Sequence, residues 1–191
     1  MRIIAGESKG RKIKVPKGIR PTQDKVRESI FNILGDRVVD TTVLDLFAGS
    51  GSFGLEAISR GAREAIFVEI NPKVIKILRE NIDTLGYKAK TRVIQADALK
   101  IIQDLVANIP YPDIVFADPP YNKGFVGRVV QIIKANNSTL LLILEHSKEE
   151  KVNMGRTLHF GDTEVNVIEF KELVNLWKGQ DNQRGGQDEK V

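Results

Sequence analysis

Two hydrophobic periods alternate along the chain. Short and nearly unbroken apolar runs at 43–47, 65–70, 91–96, 113–117 and 139–145 read as strands buried on both faces. Between them the period lengthens. After Pro72, the apolar residues Val74, Ile77, Leu78, Ile82 and Leu85 keep helical spacing, and the proline opens that helix. Further helices are predicted over 52–60, ended by Gly61, and over 98–107 and 124–135. Strands that alternate with helices mean a mainly parallel sheet with helices on both faces. Two last strands, 156–160 and 164–170, are joined by a tight turn at Gly161-Asp162, which predicts an antiparallel edge strand. The expected fold is therefore α/β and Rossmann-like.

The first 37 residues follow another pattern. Residues 2–5 and 11–15 read as two short strands around Gly6 and Gly10, so a β-hairpin is expected. Ile13 and Val15 alternate with Lys12 and Lys14, giving one apolar and one basic face; Pro16 and Gly18 end the run. A helix follows, with Thr22 as N-cap, Asp24 in the first turn, a stripe of Val26, Ile30, Phe31, Ile33 and Leu34, and Gly35 at its end. The organisation expected is one domain over 1–177, with the basic hairpin and helix in 1–37 and the Rossmann-like core in 38–177. Residues 178–191 are Gln-, Gly- and charge-rich and are expected to form a flexible polar tail.

Composition narrows the chemistry. The 191 residues contain no cysteine, which excludes disulfides, thiolate metal sites and a cysteine nucleophile of the kind that carbon-5 pyrimidine methylation needs. The two histidines, His146 and His159, are too few for a metal cluster and are expected at the surface or at strand ends, so no metal is expected. No apolar run approaches a membrane span, and no apolar segment follows the charged N-terminus, so the expected location is the cytoplasm. The formal net charge of +4 is unevenly placed: residues 1–20 hold seven basic side chains against Glu7 alone. Lys9, Arg11, Lys12, Lys14 and Arg20 are therefore candidates for holding a polyanion.

Gly49-Ser50-Gly51-Ser52-Phe53-Gly54 is a G-x-G-x-x-G turn between a strand and a helix, and Glu69 ends the next strand. That pattern suits an adenosine-containing cofactor, with backbone close to the ligand and the acid on ribose hydroxyls. It does not separate NAD from S-adenosylmethionine. Asp45, Asp97 and Asp118 fall on or after neighbouring strands and make an anionic rim, which suits a sulfonium with an ammonium group better than a pyrophosphate. The candidate cofactor residues are Asp45, Phe47, Ala48, Gly49, Gly51, Glu69, Ile70, Asp97, Ala98 and Asp118. The fourth strand ends in Asp118-Pro119-Pro120-Tyr121. Proline cannot continue a sheet, so the acid stands where a loop begins, on the edge where ligands bind in such folds. A carboxylate, a carbonyl and a flat ring can hold a planar base that carries an amino group. Asp118, Pro119 and Tyr121 are the candidate catalytic residues.

Asp45–Gly51, Glu69, Asp97 and Asp118–Tyr121 resemble the motifs of S-adenosylmethionine-dependent methyltransferases that act on exocyclic amines. More narrowly, Arg2-Ile-Ile-Ala-Gly, Gly10-Arg-Lys, Arg20-Pro-Thr, Val26-Arg-Glu and Asp45-Leu-Phe-Ala-Gly-Ser-Gly-Ser-Phe-Gly-Leu-Glu-Ala are similar to the RsmD family over roughly residues 2–170. The resemblance implies a class I methyltransferase sheet, S-adenosylmethionine as cofactor, and methylation of guanine N2 in 16S ribosomal RNA, within a small subunit or an assembly intermediate. Asp-Pro-Pro-Tyr alone also fits adenine-N6 or cytosine-N4 enzymes acting on RNA or DNA. An NAD-dependent oxidoreductase and a non-catalytic RNA-binding assembly factor are the readings from other classes. The chain has no insertion large enough for a DNA target-recognition region.

Overall fold

The structure is a computed structural model that describes residues 1–16, 24–108, 112–136 and 139–170. Its helices are α1 (Asp24–Leu34), α2 (Ser52–Ser59), α3 (Pro72–Leu85), α4 (Ala98–Asn108) and α5 (Phe125–Ala135). The strands are β1 (Thr42–Leu46), β2 (Glu64–Glu69), β3 (Thr91–Gln95), β4 (Ile114–Ala117), β5 (Leu140–Ser147), β6 (Arg156–Phe160) and β7 (Thr163–Phe170). Every strand and helix predicted from residue 43 onward is present within a few residues of its expected bounds. Local chemistry explains the ends. The Asn71 side chain accepts the Lys73 N–H, Pro72 opens α3, and Gly86 closes it at φ +79°.

The strands form one seven-stranded sheet in the order β3-β2-β1-β4-β5-β7-β6. β1 to β5 are parallel to one another, and β7 pairs antiparallel with both β5 and β6. The order reverses beside β1, where β4 rather than β3 is its second neighbour. That is the switch point at which such sheets open a crevice at their carboxyl ends. Alternate residues of each strand feed two cores. Val43, Ala65, Phe67, Phe116 and Ile143 pack with α1, α2 and α3, whereas Leu44, Ile66, Val68, Val115 and Leu142 pack with α4 and α5. Both faces are covered, which is why these strands read as continuous apolar runs.

The N-terminal segment pairs as a short antiparallel hairpin, as expected. Arg2 and Lys12 form its bridge, Ile3 N–H donates to the Arg11 carbonyl at 2.9 Å, Gly10 N–H to the Ile3 carbonyl at 2.9 Å and Ile13 N–H to the Met1 carbonyl at 3.1 Å. Beyond Ile3 the pairing gives way to α2: the amides of Ile4 and Ala5 donate to the Glu56 carboxylate at 2.8 and 3.0 Å, and Glu7 N–H donates to the Ser59 carbonyl at 2.8 Å. Gly6 lies so close to α2 that a Cβ would fall 1.7 Å from the Ser59 carbonyl oxygen. Ile3 and Ile13 are core residues, so this segment is built into the domain rather than appended to it. Beneath it, fully buried Arg27 donates to the Arg2 carbonyl at 2.7 Å and pairs with Asp24 at 3.0 Å; burial holds its pKa below the usual value. Helix α1 buries Val26, Ile30, Phe31 and Leu34 as expected, and Ile33 is half-buried. Thr22 and the 178–191 tail lie outside the described residues. His146 is fully buried near the end of β5, its ring held between the Ser147 carbonyl and Asn166 Oδ1. Among the described residues, no helix is long and apolar enough to cross a membrane.

Candidate active site

The glycine turn leaves β1 with an unusual backbone. Phe47, Gly49 and Gly51 all have positive φ, at +61°, +55° and +80°. For Phe47, a residue with a Cβ, that conformation is strained and is held by its surroundings. Two carboxylates do much of that holding. Asp45 accepts the Gly54 N–H at 3.0 Å, which ties the first turn of α2 back to β1. Glu69 accepts Gly49 N–H at 3.0 Å through one oxygen and Asn71 N–H at 2.8 Å through the other. Asp45 is 3% exposed, and burial, helped by the nearby Glu69 charge, pushes its pKa up to about 8 against the opposing Gly54 hydrogen bond.

The glycines divide the work. A Cβ on Gly51 would meet Leu78 at 2.4 Å, and one on Gly54 would meet the Phe67 ring at 2.4 Å. Both therefore let α2 pack closely on β2 and α3. A Cβ on Gly49 would come no nearer than 4.0 Å to another atom, the Phe47 carbonyl oxygen, so of the three this residue presents open backbone.

Across the crevice, Asp118 to Tyr121 leave the end of β4. The Tyr121 hydroxyl donates to Glu145 Oε1 at 3.1 Å and lies 3.2 Å from Thr163 Oγ1. Burial raises the Tyr121 pKa, with the Glu145 and Asp118 charges adding to it, so the hydroxyl stays protonated. Asp97 caps α4 by accepting the Leu99 N–H at 3.0 Å. Ile70, beside Glu69, is 62% exposed, an unusual placing for a large apolar side chain.

These parts surround one cavity of about 620 Å³, within the range of small-molecule sites. Of the residues singled out from sequence, Asp45, Phe47, Ala48, Gly49, Glu69, Ile70, Asp97, Ala98, Asp118, Pro119 and Tyr121 line it. Gly51 is not among its lining residues and serves packing instead. Lys9, Arg11, Lys12 and Lys14 are not among its lining residues. Arg11 donates to the carbonyls of Thr84 and Leu85 at the end of α3, and Lys14 pairs with Glu80 at 2.7 Å. Lys9 and Lys12 are exposed, and Arg20 lies outside the described residues. Several lining residues had no local signal. Glu145, Phe160 and Thr163 come from the C-terminal strands, and Met1, Val15 and Val26 from the N-terminal segment and α1. Val15 and Val26 read only as apolar positions of the hairpin and α1, and Glu145 only as the end of an apolar run, so none of them stood out as a site residue.

Residues 1–163 match the family described as Conserved hypothetical protein 95. Over 138 residues the chain is 40% identical to the Ribosomal RNA small subunit methyltransferase D of Escherichia coli (strain K12), covering 71% of this chain and 68% of that protein. Among solved structures, it superposes on the "Putative methyltransferase yhhF from Escherichia coli" with a TM-score of 0.78 at 34% identity, over 90% of this chain and 98% of that one. An RNA methyltransferase from Salinibacter ruber, in complex with S-adenosyl-L-homocysteine, shares the fold at TM-score 0.63 and 16% identity, over 80% of this chain and 95% of that one.

Proposed function

The chain belongs to the family described as Conserved hypothetical protein 95, with the Escherichia coli ribosomal RNA small subunit methyltransferase D among its relatives, and from that premise we propose that it methylates the N2 amine of a guanine in 16S ribosomal RNA, using S-adenosylmethionine. The observation that carries the reading is the placing of Asp118-Pro119-Pro120-Tyr121 on the same cavity as Gly49, Glu69 and Asp97. An amine-holding motif and an adenosine-binding loop then share one space.

The residues fit the cofactor. Gly49 offers open backbone, Glu69 stands at the ribose end, and exposed Ile70 supplies an apolar surface for an adenine ring. Asp97 and Asp118 give the rim negative charge, matching a cationic ligand. When bound, S-adenosylmethionine supplies a methyl group on a sulfonium sulfur that leaves as a neutral thioether.

The chain's own task is to prepare the amine. An aromatic amine is a poor nucleophile because its lone pair is delocalised into the ring. Asp118 carboxylate and the Pro119 carbonyl accept its two N–H bonds, which lets the nitrogen pyramidalise and aim its lone pair at the methyl carbon. Gly49 and Glu69 would hold the cofactor whose methyl group this nitrogen would take, the electron pair of the broken S–C bond staying on sulfur. Asp118 faces the positive charge that grows on nitrogen, and one proton then leaves to Asp118 or to water. Tyr121, held through its hydroxyl by Glu145 and Thr163, presents its ring to the turned-out base.

Single-turnover methylation of small-subunit RNA at saturating cofactor tests this. Asp118→Ala is expected to keep cofactor binding and to lose about a hundredfold or more in rate, as when one preorganised electrostatic partner is removed. Transfer at the parent rate would remove Asp118 from the chemistry.

A further inference from the structure

We propose that Glu145 makes the cavity select guanine, by accepting the ring N1–H of the base whose amine Asp118 holds; this rests on the guanine-N2 reading above. β4 and β5 run parallel with Ala117 level with Leu144. Glu145 is the next residue of β5 and Asp118 the first residue after β4, and continuing the strands' alternation puts both on the side of the sheet that carries Phe116 and Ile143. Both line the cavity. Neighbouring strands lie about 4.8 Å apart, so the two carboxylates leave the sheet side by side. Glu145 is only 6% exposed and is oriented by the Tyr121 hydroxyl at 3.1 Å. A carboxylate offers about four acceptor positions, of which the Tyr121 hydroxyl takes one, and Glu145 stands on the wall of the cavity that a base would enter.

The bases differ at the atom that would meet it. On one edge, guanine presents N1–H beside its N2 amine, two donors in a row. Adenine and cytosine each present their amine beside a bare ring nitrogen, an acceptor. Two adjacent carboxylates therefore match guanine. With adenine or cytosine, the amine on Asp118 would bring a ring lone pair against Glu145. Asp-Pro-Pro-Tyr holds any of the three amines, and Glu145 supplies the discrimination that it lacks. Sites built to hydrogen-bond a polar group reject analogues without it by about 10⁴–10⁵ at best.

The test places 2-aminopurine at the methylated position of the RNA, after that position has been mapped with unmodified RNA. This base keeps the amine at carbon 2 but has no N1–H. Single-turnover rates on guanine and 2-aminopurine are compared for the parent protein, Glu145→Gln and Asp118→Ala. The parent should prefer guanine by about a hundredfold or more. Glu145→Gln keeps a carbonyl oxygen for Tyr121 and gains an amide N–H that suits a bare ring nitrogen. Its guanine rate should fall and its guanine-to-aminopurine ratio should shrink by about tenfold or more, whereas Asp118→Ala should lose both activities. Equal rates of the parent on the two bases would overturn the inference without any variant. So would an unchanged ratio in a folded, cofactor-binding Glu145→Gln. In either case, guanine methylation by the parent would leave the function itself standing. No transfer to guanine at all would bring down that function and this inference with it.

Discussion

Asp45 is a carboxyl group placed almost entirely out of water, two residues before Phe47 where the glycine turn begins. Its shape serves the fold through Gly54 N–H at 3.0 Å, and its ionisation works against the fold. With the native pKa pushed from 3.8 up to about 8, the unfolded chain loses this proton near pH 4 while the native protein keeps it. The native state then binds more protons, so stability is fully present below pH 4 and falls as pH rises towards 8. Asp45→Asn keeps an acceptor for Gly54 and cannot ionise. Its stability relative to the parent should therefore rise from pH 5 to pH 8, on the order of a few kcal/mol at about 1.4 kcal/mol per pKa unit. Urea unfolding of both proteins at the two pH values measures this. A difference that does not change with pH would mean that Asp45 is ionised throughout.

At the scale of elements, the strand–loop–helix unit from β1 to α2 separates packing from binding in adjacent glycines. Gly54→Ala drives a methyl into the Phe67 ring and should cost about 1–3 kcal/mol, with cofactor affinity near that of the parent while the protein is folded. Gly49→Ala has room for its Cβ but sits at φ +55°, so its stability cost should be about 1–2 kcal/mol. Its methyl group would stand on the cavity wall, and affinity for S-adenosylhomocysteine in calorimetry should fall clearly. The opposite pattern would reverse the assignment. The same unit marks what was legible in the sequence. Strands buried on both faces declare themselves as apolar runs, and the site residues that follow them in the chain, Gly49, Glu69, Asp97 and Asp118, could be placed on one edge from topology alone. The packing role of Gly51 could not, because Leu78 and Phe67 reach it only in three dimensions. The N-terminal hairpin was legible, but where its pairing stops was not, for a similar reason. The amides of Ile4 and Ala5 look available to a partner strand, yet they are taken by Glu56 from more than fifty residues away. Thr163 and Phe160 reach the cavity only because β7 folds back between β5 and β6, a placement that no local pattern carries.

For the whole molecule, the question is how an excess of positive charge becomes an RNA surface. With seven basic side chains against one acid, residues 1–20 hold more than the chain's whole net charge of +4, but the fold has already used part of it: Arg11 serves the carboxyl end of α3 and Lys14 pairs with Glu80. Deleting the segment is a poor test, since it would strip Ile3 and Ile13 from the core, Met1 and Val15 from the cavity wall, and the amide donors from buried Glu56. Charge reversal is cleaner. Lys9→Glu with Lys12→Glu changes two exposed side chains that do not line the cavity, so cofactor affinity should hold. RNA affinity should fall, and it should also become less salt-dependent. Each lost phosphate contact removes roughly 0.7–0.9 from the slope of log K against log salt, so the double variant should flatten it by roughly 1.4–1.8. Lys14→Ala should do less, because its ammonium is already shared with Glu80 in an exposed pair. Fluorescence anisotropy with a labelled small-subunit RNA fragment over a salt series reads both quantities. If the doubly reversed protein keeps the parent's slope, the N-terminal charges do not touch phosphate, and the RNA must be held by another face of the molecule.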